Sequence, residues 1–389
     1  MFSLQRQSIY LVLLGAVLLA GAGLVMLAST GAYATDGTAE GYAGLKKQIV
    51  HVGLGVMVCA AAALLDYRAW ERWQWPVLLV ASVLLALCFV PAVRLVLNGE
   101  GRWINARCLG LPALRFQPSE IGKIALLVFL AGWYARMPLR VPTFRWGFLL
   151  PMAIAGVPIL LIGCEKDLGT AALLAAVVIG VMFVAGVRLC YLACLGALAG
   201  GGLVAAVAMI PERLGRWVAF TDLYAHRMGE GHQQWRALIA LGSGGLTGRG
   251  AGNGIEKMFY MPYAHTDFIF PMIGEEFGLV GTLLVILCFV SLLLGGMAVA
   301  ASAPDPFGRL LASGIVLLIG LQAVVNIGVT TAVLPNKGLP LPFISYGGSS
   351  VVVFSFLLGI LVNIYRQGLQ GRSLGRGLPE GILQLAPRI

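Results

Sequence analysis

The chain has 389 residues, a mean hydropathy of +0.89 and only 11% charged residues, a composition that excludes a soluble globular domain. Its formal net charge of +10 suits an anionic membrane surface or an anionic substrate. No Cys or His spacing is typical of a metal site, and we expect membrane lipids and no nucleic acid among its partners.

Long apolar runs dominate the sequence, and we interpret ten of them as membrane-spanning helices. About 20 residues at a rise of 1.5 Å each cross a hydrocarbon core of roughly 30 Å. The backbone in lipid must satisfy its own hydrogen bonds, which favours helices for continuous apolar runs. The runs lie near 9–28, 49–65, 76–93, 121–136, 147–163, 168–187, 189–210, 268–300, 308–334 and 351–365. The prediction is an all-α, polytopic membrane protein with one transmembrane domain over residues 1–389.

An even number of spans places both termini on the same side of the membrane. The loops on that side are short and plain, whereas those on the other side carry nearly all the unusual residues. The largest of these, residues 210–267, is predicted between helices 7 and 8. When this long loop is set aside, Lys and Arg favour the plain side as cytoplasmic. We therefore expect extracytoplasmic functional loops, cytoplasmic termini and a cytoplasmic tail over 366–389.

The stretch MPYAHTDFIFPMIGEEFG, residues 261–278, concentrates charge where an apolar helix is about to begin. Asp267 directly precedes that helix, and Glu275 and Glu276 lie further inside it. One interpretation is that Thr266 or Asp267 caps the helix by accepting its first free N–H groups. The other is that Asp267 is a general base, since ionisable groups near membrane depth are costly and commonly functional.

Other polar patches on the same side suit an anionic ligand. Arg102, Arg107 and Arg115 form one cluster, and guanidinium groups bind phosphate oxygens in pairs. They could equally contact lipid headgroups, and Glu120 and Lys123 could form an i,i+3 pair. The glycine-rich run at 242–252 could cradle a phosphate through its N–H groups, although turn structure is the favoured interpretation. Together the patches indicate a lipid-linked phosphate substrate.

The sequence resembles the SEDS family (shape, elongation, division and sporulation), which includes FtsW, RodA and SpoVE. The resemblance covers nearly the whole chain, from residue 44 to residue 350. It is carried, in family order, by GRWI, FQPSEIGK, DLGTA, GSGGLTGRGAG, AHTDFIF, GEEFGLVG and LPNKGLPLPFISYGGSS. The last two motifs are more similar to the division type than to the elongation type.

The resemblance implies a peptidoglycan glycosyltransferase that polymerises lipid II, a disaccharide-pentapeptide on undecaprenyl pyrophosphate. It implies the bacterial cytoplasmic membrane, a class B penicillin-binding protein as transpeptidase partner, and other division proteins. The family's essential aspartate corresponds to Asp267, which we assign as the catalytic base. Substrate binding is assigned to Arg102, Glu120, Lys123, Asp167, Gln233, Lys257, His265, Glu275, Lys337 and Ser345.

Two departures from the family pattern affect expected substrate contacts. Lys166 replaces the proline that usually precedes the DLGT aspartate, and His232 replaces a tyrosine before Gln233. A divalent cation, Mg²⁺ or Mn²⁺, could share the neutralisation of the pyrophosphate, although no ligand spacing requires one. The alternatives to catalysis are a lipid II flippase and a non-catalytic scaffold for division proteins. A flippase favours polar groups at mid-membrane depth, whereas here they gather on one side.

Overall fold

A computed structural model describes residues 2–31, 42–91, 93–97, 100–105, 115–209, 211–258 and 266–376. Within these ranges a helix occupies each of the ten predicted apolar runs, and three short helices occur in the connections. In chain order the helices are α1 (Phe2–Gly31), α2 (Ala43–Leu64), α3 (Arg68–Arg72), α4 (Gln74–Leu87), α5 (Pro118–Arg136), α6 (Leu150–Cys164), α7 (Leu168–Ala185), α8 (Leu189–Ala208), α9 (Pro211–Thr221), α10 (His232–Gly244), α11 (Ile269–Ser302), α12 (Pro306–Thr330) and α13 (Gly348–Arg376). The polytopic helical prediction is confirmed.

Seven helices in the described ranges are both long enough and apolar enough to cross a membrane. They are Gln7–Thr30, Ala43–Leu64, Phe144–Cys164, Leu168–Ala185, Ile269–Ser302, Pro306–Thr330 and Gly348–Gln370, the third including a π-helical turn that leads into α6. Two further apolar helices are shorter, and α5 carries buried charges. The number of spans therefore stays a prediction at ten.

A small antiparallel sheet lies in the connection before α5 and was not predicted. Its strands are β1 (Arg94–Leu97), β2 (Glu100–Asn105) and β3 (Arg115–Phe116), in spatial order β1-β2-β3. Leu95 pairs with Trp103 and Ile104 with Phe116. The sheet places Arg102 beside the start of α7.

The helical core is organised around α12, which is buried over most of its length. It packs against α5, α7 and α11, while α1 pairs with α11 and α2 pairs with α13. The interior is apolar, with Phe129, Phe307 and Phe354 among its largest fully buried side chains. The C-terminal end of α12 therefore contacts both the loop that follows it, residues 331–347, and the turn that precedes α11.

The helix α11 is broken at Gly278, where φ is 67° and ψ is −161°. A side chain there would collide with the backbone of Leu246 and Gly248 in the glycine-rich run. Glycine is required because the backbone is left-handed and the two segments touch. The break therefore fixes the glycine-rich run onto the first part of α11.

Candidate active site

Asp267 lies in the turn 266–268, immediately before α11. The turn is held from two sides. Asn326 Nδ2 of α12 donates to Asp267 O over 2.7 Å, and Ser345 Oγ donates to Thr266 O over 2.6 Å. The N-cap position of α11 is Phe268, so the alternative in which Thr266 or Asp267 occupies that position is wrong. The turn is thus rigid through its backbone, and its carboxylate does not serve as the helix N-cap.

The Asp267 side chain is partly buried and lies directly against Gly338. A Cβ atom at position 338 would collide with Asp267 Oδ2, which shows how closely the loop backbone approaches the carboxylate. Gly338 itself is exposed. The carboxylate therefore lies at the border between the protein and the surrounding medium.

The loop 331–347 is held in place by polar side chains of α12. Gln322 Nε2 donates to Pro340 O over 2.8 Å, and Asn326 Nδ2 donates to Leu339 O over 2.6 Å. Ser345 Oγ accepts a hydrogen bond from Leu341 N over 2.7 Å. Buried polar groups need such partners, and here they fix the backbone on both sides of Gly338.

A buried ionic network lies inside the bundle between α5 and α12. Lys123 Nζ lies 2.7 Å from Glu120 Oε1, which is the i,i+3 pair considered from the sequence. Lys123 Nζ also donates to Gln322 Oε1 over 3.0 Å. Lys123 also lies over the Phe354 ring at 5.3 Å. Both charged side chains are almost completely buried. Through Gln322 the network supports the loop that touches Asp267.

Arg102 is anchored to the turn between α6 and α7. Its Nη2 donates to Lys166 O over 3.0 Å, and its Nη1 lies 3.7 Å from Asp167 Oδ2. Asp167 caps α7 by accepting from Thr170 N over 3.2 Å. Neighbouring Glu165 is buried, and the pKa of its carboxyl is raised to about 7, chiefly by this burial. Asp167 contributes to the rise, whereas Cys88 and Arg102 oppose it.

Lys257 and Glu276 form a buried ion pair of 2.6 Å whose side chains are 0% and 1% exposed. Ser29 Oγ, at the end of α1, donates to Glu276 Oε1 over 2.5 Å, and Lys257 Nζ donates to Gly252 O over 2.8 Å. The same carboxylate accepts from Gly252 N over 2.8 Å. These contacts tie α1, the glycine-rich run and α11 together.

The Glu275 carboxylate also supports this region, because it binds backbone N–H groups. Its carboxylate accepts from Ile255 N over 2.7 Å and from Glu256 N over 3.2 Å. In the glycine-rich run, Arg249 N donates to Glu275 O and Gly250 N donates to Glu276 O, both over 3.0 Å. Because these N–H groups are used within the protein, the geometry favours turn structure over the phosphate cradle.

A model of the FtsW/RodA/SpoVE family, described as cell cycle proteins, matches residues 9–369. The chain belongs to this family. It is 42% identical to a protein of Geobacter sulfurreducens named "Probable peptidoglycan glycosyltransferase FtsW", over 91% of this chain and 94% of that protein. It is 36% identical to stage V sporulation protein E of Bacillus subtilis, over 90% of this chain and 94% of the relative.

Two solved structures share the fold. One comes from a study of how a peptidoglycan synthase complex coordinates polymerization and crosslinking. It has a TM-score of 0.74 and 28% identity, and the match covers 92% of this chain and 98% of that one. The other is the rod shape determining protein RodA of Thermus thermophilus, with a TM-score of 0.66, 28% identity and coverage of 92% and 96%. Both matches extend over nearly the whole chain.

The remaining predicted site residues occupy different places. Gln233 Oε1 accepts from Asn336 Nδ2 over 3.0 Å, which joins the start of α10 to the loop after α12. Lys337 packs against Gly169 at the start of α7. A Cβ atom added at Gly169 would lie only 2.6 Å from Lys337 Cε. His265 and Arg107 lie outside the described residues. The substrate-binding roles assigned to all ten residues stay predictions.

Three supporting residues were missed by the sequence reasoning: Gln48, Gln322 and Asn326. Gln322 and Asn326 are four residues apart within the apolar run of α12, so they share one helix face. That spacing of amides inside an apolar run was an available signal. Gln48 of α2 donates to Ser345 O and accepts from Gly347 N, both over 3.4 Å. All three fix the loop 331–347, and Asn326 also fixes the turn carrying Asp267.

Among the described residues, no three His, Cys, Asp or Glu side chains come together as a metal-binding group. The positive charges near the start of α7 come from Lys and Arg side chains. Arg102, Lys166 and Lys337 meet around the start of α7, through the contacts of Arg102 with Lys166 O and of Lys337 with Gly169. Their positive charge suits a phosphate-containing ligand.

Proposed function

We propose that this multi-pass membrane protein is a peptidoglycan glycosyltransferase that polymerises lipid II, with Asp267 as the catalytic base. The family and the relatives named for this activity support the reaction class. The proposed reaction joins the acceptor's 4-hydroxyl to the donor's anomeric carbon with inversion. It forms a β-1,4 bond and releases undecaprenyl pyrophosphate.

The position of Asp267 is the single observation that carries this assignment. The structure buries four other candidate carboxylates almost completely: Glu120, Asp167, Glu275 and Glu276. Asp267 instead has a partly exposed side chain on a turn whose backbone is fixed by Asn326 and Ser345. A general base needs a rigid backbone and an accessible carboxylate, since it must reach the substrate proton.

The proposed step requires one proton acceptor and one stabilised leaving group. Asp267 accepts the proton of the attacking hydroxyl while the new C–O bond forms and the bond to pyrophosphate breaks. Base assistance of this kind contributes on the order of 10²- to 10⁴-fold in rate. Arg102 and the neighbouring lysines stabilise the charge that develops on the pyrophosphate. Arg102 is pre-oriented for this role by Lys166 O and Asp167.

The proposed setting is septal wall synthesis in a bacterial cytoplasmic membrane, with the site outside and both termini inside. A class B penicillin-binding protein supplies the crosslinking activity. The motifs that resemble the division type support the septal setting, and the solved synthase complex supports a crosslinking partner. Other division proteins are expected in the same assembly.

The test is polymerisation of lipid II by purified protein, alone and with its cognate transpeptidase, comparing wild type with Asp267→Asn. We expect long glycan strands from wild type and none from Asp267→Asn, with unchanged binding of lipid II. A variant as fast as wild type would overturn the assignment of the base. If wild type with its partner makes no strands, a flippase or scaffold function replaces the proposal, and lipid II transfer across vesicles separates these two.

A further inference from the structure

The connection between α5 and α6, residues 137–149, lies at the end of the helical bundle opposite to Asp267. The end of α6 and the start of α7 lie near Asp267, because Lys337 contacts Gly169 of α7 and its neighbour Gly338 contacts the Asp267 carboxylate. The start of α6 and the end of α7 are therefore one membrane-spanning helix away from Asp267. The predicted orientation places this opposite end in the cytoplasm.

Three exposed arginines occupy this end, and we call them the arginine patch. Arg140 and Arg145 belong to the connection, and Arg188 directly precedes α8. Among the described residues, no carboxylate forms an ion pair with any of the three. Arg136, at the end of α5, differs because it binds Glu71 over 3.0 Å. The three charges of the patch are therefore accessible to a ligand.

The ring of Trp146 holds two of these charges close together. Arg140 Cζ lies 4.9 Å and Arg145 Cζ lies 5.7 Å from the centre of the ring. Both distances are within the range of cation–π attraction. Two cations held at one ring also repel each other. An anion that reached both guanidinium groups would relieve this repulsion and accept charge-assisted hydrogen bonds from them.

The backbone around Trp146 is fixed to α5. Trp133 Nε1 donates to Trp146 O over 2.9 Å, and Tyr134 OH donates to Gly147 O over 2.8 Å. A Cβ atom at Gly147 would collide with Val141 O, so the connection folds closely back on itself. The arginines are thus carried by a preorganised segment, which lowers the cost of ordering them around a ligand.

Aromatic side chains beside the patch indicate that it lies at the membrane surface. Phe144 packs edge-to-face on Tyr191 of α8, with ring centres 5.3 Å apart, and the Phe148 ring lies 5.5 Å from the same tyrosine. Phe144 and Leu189 are exposed. Tyrosine and tryptophan concentrate at the membrane–water interface. The exposed apolar side chains there offer a surface that hydrocarbon chains can cover.

We infer that this end of the protein binds an anionic phospholipid, with the phosphate held by the arginine patch and the acyl chains against Phe144 and Leu189. Basic sites beside membrane helices on the cytoplasmic side suit such headgroups. A soluble anion would satisfy the charge but would leave the apolar surface uncovered, so the combination favours a lipid. The inference goes beyond the proposed function and does not depend on the reaction.

The test counts phospholipids bound to the full-length protein in a non-ionic detergent by native mass spectrometry. Dioleoylphosphatidylglycerol is the anionic probe, and dioleoylphosphatidylcholine is its zwitterionic counterpart. The variants are Arg140→Ala with Arg145→Ala, Arg140→Lys with Arg145→Lys, and Arg188→Ala. Arg309→Ala is the matched control, because Arg309 is an exposed arginine at the start of α12 that lies outside the patch and forms no ion pair in the described ranges.

We expect the double alanine variant to bind phosphatidylglycerol about tenfold more weakly than wild type, since hydrogen bonds between charged groups contribute at this level. Arg188→Ala should weaken binding by about threefold. The double lysine variant keeps the charge but loses the paired guanidinium geometry, so its affinity should be intermediate. Arg309→Ala should bind as wild type does, and phosphatidylcholine should bind all proteins equally and more weakly.

Equal affinity of wild type and the double alanine variant for phosphatidylglycerol would overturn the inference. An equal loss in Arg309→Ala would also overturn it, because it would report overall charge instead of a site. Displacement of phosphatidylglycerol by inorganic phosphate at the same concentration would show a soluble anion as the ligand and remove the lipid. The melting temperatures of all variants should equal that of wild type, since the substituted side chains are exposed, so a changed affinity does not report unfolding.

Discussion

Asp267 and Glu276 lie in one charged stretch of sequence, Asp267 just before α11 and Glu276 inside its first part. Glu276 is 1% exposed and its carboxylate binds Lys257, Ser29 and Gly252 N. Asp267 is fixed through its backbone, and its carboxylate lies against Gly338 at the edge of the protein. The two carboxylates have a similar sequence context, but Glu276 is buried in an ion pair whereas Asp267 is partly exposed on a turn whose backbone is fixed. The difference separates a supporting residue from a candidate catalytic one.

The largest effect on stability is expected from breaking the buried pair. Lys257→Ala should lower the free energy of unfolding by about 3–5 kcal/mol, because it leaves the Glu276 charge buried without its cation. Thermal unfolding in detergent, followed by tryptophan fluorescence, measures the change. Lys46→Ala, at an exposed lysine, is the control and should change nothing.

The double variant Lys257→Met with Glu276→Leu sharpens this expectation. Replacing both charges by apolar groups of similar size removes the cost of burying them, so it should regain much of the lost stability. The hydrogen bonds from Ser29 and Gly252 to the carboxylate would still be lost. A Lys257→Ala protein as stable as wild type would show that the pair does not support the fold.

A smaller but more specific effect is expected at Gly338. In Gly338→Ala the new methyl group displaces the Asp267 carboxylate, which can rotate away at little cost in stability. Because catalysis depends on placement within about 1 Å, lipid II polymerisation should fall by about 10- to 100-fold. The melting temperature should be unchanged.

Gly347→Ala is the matched control for this prediction. Gly347 lies in the same loop, and a Cβ there would meet its nearest neighbour, Ser350 Cβ, at an ordinary 3.7 Å. It should polymerise at the wild-type rate. Equal rates for Gly338→Ala and wild type would mean that the carboxylate position does not control the reaction.

The smallest effect concerns Glu165, beside the Arg102 contact. Its folded-state pKa of about 7 lies above the ordinary 4.5, so the folded protein binds this proton more tightly than the unfolded protein does. Its contribution to stability is therefore greatest below about pH 4.5 and falls as the pH rises to about 7. In Glu165→Gln this fall should be absent, as melting temperatures across that range will show. Parallel pH profiles for variant and wild type would contradict the burial of this carboxyl.

The helices were predictable because their determinants are local. Each apolar run is long enough to cross or enter the membrane, and lipid leaves the backbone few alternatives to a helix. The sheet at 94–116 was missed because its strands are short and lie in a polar connection. The break in α11 was missed because Gly278 is left-handed only through its contact with the distant backbone at 246–248.

The site was predictable in its residue types but not in its contacts. The sequence placed Asp267, Glu275, Glu276 and Lys257 together, yet it could not show that Lys257 and Glu276 bind each other and Ser29 of α1. Such contacts join segments far apart in the chain and leave no local pattern. The support of the Asp267 turn by Asn326 was equally hidden, although an amide inside an apolar run was a usable signal.

The most direct test measures lipid II polymerisation and thermal unfolding for two proteins side by side, Asp267→Asn and the double variant Lys257→Met with Glu276→Leu. We expect Asp267→Asn to unfold at the wild-type temperature and to make no glycan strands. The folded double variant should still make strands, because it keeps Asp267, and a lowered rate would report the predicted substrate contact of Lys257. Strand synthesis by Asp267→Asn, or a folded double variant without activity, would contradict the division between a catalytic carboxylate and a supporting one.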